Sequence, residues 1–205
     1  MKNTSIGTWA YNVGPYGESP IPFDTVGKTL SELKFDGLEL GGFNGYPNPG
    51  NHPEKEHRDG LKEKMTNWGL SFSGFAQDLW SEQLLNTDDQ SKYISSFKSN
   101  VNFAVDLGIK GVRVDCVQPP TIHAEADFDT LFNKLTKTWD TCINYAADKG
   151  IYVTWEFEPG FAFNKPSYIL KVLDKLQYDN FGLMYDTCHG QMMGVIGVRQ
   201  EGEKE

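Results

Sequence analysis

Three carboxylates and a histidine, Glu156, Glu158, Asp186 and His189, crowd into the last third of this 205-residue chain. The first two lie in 151–158, Ile-Tyr-Val-Thr-Trp-Glu-Phe-Glu. A strand period of two puts both on one face there, with Ile151, Val153, Trp155 and Phe157 on the other. Pro159-Gly160 ends the run, and a second apolar run, 181–186, leads into Thr187-Cys188-His189-Gly190. Asp186 and His189 therefore fall just past a strand's C-terminal end, the edge where parallel α/β proteins keep their chemistry. Carboxylates with few nitrogens suit hard ions such as Mg²⁺ or Mn²⁺, with Co²⁺ or Zn²⁺ admitted once a histidine joins. Such an ion can polarise a carbonyl and its neighbouring hydroxyl and stabilise the ene-diolate formed when the adjacent C–H proton leaves, a nearby carboxylate serving as base.

The elements that must position these groups repeat as strand then helix. Apolar runs at 5–11, 37–41, 70–77, 110–117, 151–158 and 181–186 read as strands, and segments of helical period separate them. Phe23, Val26, Leu30 and Leu33 mark the first helical stripe, with Asp24 or Thr25 as its cap; Asn51 or His52 precedes the second helix and Asp88 or Asp89 the third. The longest helix runs over 127–148, and 166–176 forms another. Gly69, Gly108 and Gly150 each stand between a helix and a strand, the mark of a repeated βα unit. The stretch 42–50 is too rich in Gly and Pro for regular structure, and the charged tail 197–205 carries no strand signal.

Alternation assigns Glu39, Ser73, Gln77, Arg113, Asp115, Glu156, Glu158 and Asp186 to one side of the sheet. Leu38, Leu40, Phe72, Val112, Val114, Trp155, Phe157, Leu183 and Tyr185 take the other. An open doubly wound sheet is covered by helices on both faces and needs both apolar. Only one is, which points to a (β/α)8 TIM barrel whose inner face carries polar groups near its C-terminal rim. Such a barrel has eight units and about 250 residues. About six βα units are visible here, so residues 1–205 read as a single, incomplete barrel domain lacking its C-terminal two units. A six-unit variant with two exposed edges is the alternative, one that parallel sheets rarely tolerate.

Composition narrows the function classes. Hydrophobic residues make up 39% and aromatics 13%, a globular balance. The net charge of -9 argues against a large nucleic-acid footprint, although a local basic patch stays open. The N-terminus has no secretory apolar run, and no stretch approaches the roughly 20 apolar residues that span a bilayer, so a soluble, cytoplasmic protein with no membrane partner is expected. Cys116, Cys142 and Cys188 are widely spaced, as reduced thiols are. Cys188 stands between Asp186 and His189 and could be a nucleophile; a small buried thiol is the commoner reading.

Trp155-Glu156-Phe157-Glu158-Pro159-Gly160 and Tyr185-Asp186-Thr187-Cys188-His189, with Gly37-Leu38-Glu39-Leu40 earlier, resemble the xylose-isomerase-like TIM barrel family of sugar phosphate isomerases and epimerases. The resemblance runs from the first strand to the sixth. It implies a divalent metal held by a Glu ending strand five, an Asp ending strand six, a His after strand seven and a Glu on strand eight. By position the first two are Glu158 and Asp186; the other two have no counterpart in these residues. The resemblance also implies that His189 hydrogen-bonds a substrate oxygen; the chemistry of a carboxylate beside the substrate lets Glu158 serve as base as well as ligand. Glu156, two residues deeper, would support the site from behind, paired with Arg113; Arg113, Glu156 and Trp9 complete the substrate-facing set.

Each residue has a plainer reading beside this one. Glu156 and Glu158 could be neutralised by Arg113 in a buried ion network, Arg113 and Asp115 could pair with each other, Asp186 could cap a turn, and His189 could be a loop histidine. His52, His57 and His123 read as solvated; Trp9, Phe43 and Trp80 could wall a sugar pocket, with core aromatics the plainer reading. The function expected is metal-dependent isomerisation or epimerisation of a small sugar, sugar phosphate or polyol by an enzyme that can self-associate into homo-oligomers. A catalytically inactive fragment or sugar-binding module is the alternative. An endonuclease IV-like phosphodiesterase, which needs several zinc ions and many histidines, fits four histidines and a net charge of -9 poorly.

Overall fold

At three helix-to-strand joints a glycine takes the left-handed conformation that other residues avoid. In the computed structural model, which describes residues 3–196, Gly69, Gly108 and Gly150 have φ of 68°, 74° and 68°. Gly69 N–H donates to Thr66 O and Leu70 N–H to Met65 O; Gly108 and Ile109 close their helix in the same way onto Val105 and Ala104. The chain thus leaves these three helices already aimed along the next strand.

The strands are β1 Ser5–Gly7, β2 Gly37–Gly41, β3 Ser71–Ala76, β4 Gly111–Val114, β5 Tyr152–Glu156 and β6 Phe181–Met184. The helices are α1 Phe23–Glu32, α2 Lys55–Trp68, α3 Ser91–Leu107, α4 Ile122–Glu125, α5 Phe128–Asp148, α6 Pro166–Lys175 and α7 Thr187–Ile196. All six strands belong to one sheet in chain order, with β1–β2, β2–β3, β3–β4 and β5–β6 paired in parallel. This is the α/β arrangement of an incomplete TIM barrel.

By their contacts the residues fall into two compact units. One comprises Met1–Asp78, Ser99–Arg113 and Lys149–Ile151. Its core holds Leu38, Leu40 and Phe75, none of them exposed, and the Phe75 ring lies 5.5 Å from that of Phe103. The α1 and α2 helices approach closely because Gly27 leaves room for the Trp68 ring, which a Cβ there would meet at 2.2 Å. The other unit comprises Leu79–Lys98, Val114–Asp148 and Tyr152–Glu205. Its centre is Trp139 of α5 against Trp155 of β5, rings 5.4 Å apart edge to face, with the Trp139 indole N–H donating to Tyr93 Oη at 3.1 Å.

Three expectations differ from what forms. The first strand stops at Gly7, and 8–11 wind into a 3₁₀ turn in which the buried Thr8 hydroxyl donates to Glu39 O and accepts from Gly41 N–H. Strict alternation fails in β3 because the register shifts between Leu38 and Glu39: Leu38 pairs with Phe72 but Glu39 pairs with Gly74. Ser73 is the extra residue of a bulge, and Phe75, not Gly74, continues the apolar face from Phe72. Asp24 does not cap α1, whose N-cap is Pro22; its carboxylate takes an ion pair from Lys64 at 2.8 Å. Residues 187–196, to which the sequence reading assigns no element, form α7. The tail 197–205 lies outside the described residues. Asp127, by contrast, caps α5 through the Thr130 N–H at 2.9 Å.

Candidate metal centre

Two overlapping groups of potential ligands form at the C-terminal ends of β4, β5 and β6. Asp115, Glu156 and Glu158 bring one oxygen each to within 4.8 Å of one another, and Glu156, Asp186 and His189 do the same. Glu156 is common to both. It is the last residue of β5 and only 6% exposed, with Trp155 on the opposite face buried in the core. Alternation along β5 therefore fixes which way Glu156 points. Glu158 follows two residues on, and Asp115 is the first residue past β4. Among the described residues Glu158 and Asp186 do not meet in a single group; Glu156 joins them.

The Asp186–His189 half is set by the start of α7. The Asp186 Oδ1 accepts the His189 N–H at 2.9 Å and the Asp186 carbonyl accepts the Gly190 N–H. Asp186 is thus an N-cap as well as a member of the cluster, and it holds His189 in the helix's first turn. The His189 Nδ1 lies 2.9 Å from the Phe157 carbonyl oxygen. A carbonyl only accepts, so Nδ1 carries a proton, and it is Nε2 that offers a lone pair in the neutral ring. A backbone carbonyl orienting the far nitrogen is the arrangement usual behind a metal-binding or substrate-binding imidazole.

Two carboxylates held 4.8 Å apart or less repel by about 3 kcal/mol or more at an effective dielectric of 20. A divalent cation at this place would offset that repulsion. The donor set, carboxylate oxygens with one imidazole nitrogen, fits Mg²⁺ or Mn²⁺ and admits Co²⁺ or Zn²⁺.

Trp9 and Arg113 come together in the other unit. The Arg113 guanidinium sits 5.7 Å from the Trp9 ring centroid, the Trp9 indole N–H donates to Glu39 Oε2 at 2.9 Å, and Gln77 Nε2 donates to the Arg113 carbonyl at 3.0 Å. Trp9 takes this place only because Gly7 and Gly41 lack side chains. A Cβ on Gly41 would lie 2.8 Å from the Trp9 backbone nitrogen. Gly41→Ala is therefore expected to cost about 1–3 kcal/mol and lower the thermal midpoint by several degrees in calorimetry. An unchanged midpoint would show that Trp9 moves aside freely.

Of the other histidines, His52 and His57 face each other with rings 5.9 Å apart on the other unit, and His123 packs against Phe163 and Tyr168. Cys116 and Cys142 are buried free thiols, Cys142 pushed up to about 12 by burial, whereas Cys188 is exposed in the first turn of α7 rather than buried. Asp115's place among the carboxylates was open to the alternation argument, which sets it on their side of the sheet. The bond from His189 to the Phe157 carbonyl leaves no mark in a sequence.

A family model described as xylose isomerase-like TIM barrel matches residues 28–202. No curated protein matches the chain. Among solved structures, D-psicose 3-epimerase from Clostridium cellulolyticum H10, solved with D-tagatose, is 14% identical over 99% of this chain and 67% of its own, with a TM-score of 0.68. An AP endonuclease of family 2 from Brucella melitensis is 13% identical over 94% and 71%, with a TM-score of 0.72. A xylose isomerase-like TIM barrel protein from Mycobacterium smegmatis in complex with magnesium is 14% identical over 98% and 68%, with a TM-score of 0.68. The chain spans less than two thirds, 63 to 65%, of three further matching structures. At these identities the likeness is one of fold. No helix among the described residues is long and apolar enough to cross a membrane.

Proposed function

Because the chain belongs to the xylose isomerase-like TIM barrel family, we propose that it serves a divalent-metal-dependent isomerase or epimerase of a small sugar, sugar phosphate or polyol. The observation that carries the reading is the convergence of Glu156, Asp186 and His189 within 4.8 Å, with the His189 Nε2 lone pair left for a ligand. Glu158 and Asp186 are the proposed metal ligands, with Glu156 between them. What a divalent ion supplies here is positive charge for the oxygen of a bound carbonyl. Glu158, on the loop beyond β5, removes the proton from the carbon beside that carbonyl and returns it, and His189 Nε2 takes a hydrogen bond from a substrate hydroxyl. A homo-oligomeric assembly in the cytoplasm, with no nucleic-acid partner, completes the reading.

Two measurements test it. Titration with Mn²⁺ followed by calorimetry is expected to show a bound ion, lost in Glu158→Ala and Asp186→Ala. Incubation with ketohexoses in D₂O is expected to wash deuterium into the carbon next to the carbonyl, a signal that needs no knowledge of the product. Deuterium uptake that survives either substitution would sink the assignment. Sugar binding that ignores metal would favour a binding module instead.

A further inference from the structure

We infer that Asn164 and His123 are positioning residues for Glu158, clamping the loop 157–165 in the conformation that brings its carboxylate to Asp115 and Glu156. The inference rests on the proposed role of Glu158. The loop is tied at every step. Its first carbonyl, on Phe157, accepts from His189 Nδ1–H at 2.9 Å; the Glu158 carbonyl accepts from Phe161 N–H at 3.0 Å; and Ala162 N–H donates to the Gln118 carbonyl at 2.7 Å. Asn164, wholly buried, donates its Nδ2–H to the Pro159 carbonyl at 2.6 Å. Proline fixes its own φ, so a bond pinning the Pro159 carbonyl restrains the residue before it, which is Glu158.

Strain marks the same segment. Phe163 has φ of 59°, left-handed backbone that a bulky residue rarely adopts, and it is 0% exposed. Such a conformation persists only where its surroundings over-determine it. Here the Phe163 N–H donates to His123 Nε2 at 3.3 Å, and the Phe163 ring lies 5.0 Å from the His123 ring and 5.8 Å from that of Phe128. Since Nε2 accepts, His123 is the neutral ring protonated at Nδ1. Burial, and then the Lys165 ammonium, favour that form by lowering the pKa.

The test uses the full chain with Asn164→Ala, His123→Phe and His123→Gln. Glutamine keeps an acceptor for the Phe163 N–H; phenylalanine fills the space without one. Amide exchange over 157–165 is expected to quicken about tenfold in Asn164→Ala and His123→Phe, and Mn²⁺ affinity to fall about tenfold in both, with His123→Gln close to the unsubstituted chain. The His123 pair, alike in packing, keeps the result readable if Asn164→Ala unfolds. Unchanged exchange in both disruptive variants would overturn the inference, as would faster exchange with unaltered Mn²⁺ affinity. Should the unsubstituted chain bind no Mn²⁺, the proposed function fails, while exchange alone still decides the clamp.

Discussion

Glu156→Gln is expected to lower Mn²⁺ affinity by about a hundredfold while raising the thermal midpoint of the metal-free chain. The two effects share one cause. Glutamine matches glutamate in size, so the 6% exposed position stays filled, but one negative charge leaves both carboxylate groups at once. Each neighbouring carboxylate then loses a repulsion of about 3 kcal/mol by Coulomb's law at an effective dielectric of 20, most of which solvation and local partners already offset. A net gain of about 1 kcal/mol, a few degrees at this chain length, is the expected residue. Glu158→Gln touches one group alone and should raise the midpoint less. Calorimetric titration and scanning calorimetry in a chelator check both halves. Undiminished affinity would show that Glu156 is not the shared ligand.

The largest stability effect should come from the other face of β5. Trp155 is 0% exposed and its ring meets Trp139 at 5.4 Å, so Trp155→Ala removes the side chain around which that unit's core is packed. Emptying a buried tryptophan site costs about 3–5 kcal/mol, a large share of a total stability of about 5–15 kcal/mol. Trp155→Phe should cost far less. The Trp155 indole N–H has no hydrogen-bond partner among the described residues, so phenylalanine forfeits volume without forfeiting a bond. Urea unfolding followed by circular dichroism measures both, and equal losses would show that the indole N–H is satisfied in solution. Because Glu156 is the next residue, the alanine variant should also bind Mn²⁺ less tightly wherever it remains folded.

The repeating unit was legible wherever local chemistry dictates it. Gly69, Gly108 and Gly150 mark helix ends because only a residue without a side chain takes φ near 70° cheaply, and all three do so. Strand β2, Gly37–Gly41, ends where its apolar run ends. What failed depends on partners distant in sequence. The bulge at Ser73 is set by pairing with β2, and the 3₁₀ turn at 8–11 by Thr8 bonding to the backbone of Glu39 and Gly41. Helix α7 carries Gly190 and Gly194, each of which weakens helical preference, and no strong stripe announces it. At the site, counting by twos along the strands aligned Asp115, Glu156 and Glu158 on one side. It could not show that Asp186 is helix cap and cluster member together, since capping and ligation call for the same residue in the same place.

That double use of Asp186 ties a local folding event to occupancy of the cluster. The first turn of α7 is organised by the bonds from His189 and Gly190 to Asp186, and two of those residues belong to one ligand group. A cation that prefers Asp186 and His189 as this turn holds them must, by thermodynamic reciprocity, favour the wound helix by the same factor by which winding favours the cation. The glycines that loosen α7 then become adjustable settings: stiffening Gly194, whose added Cβ would meet nothing within 4 Å, would tighten ion binding without touching a ligand.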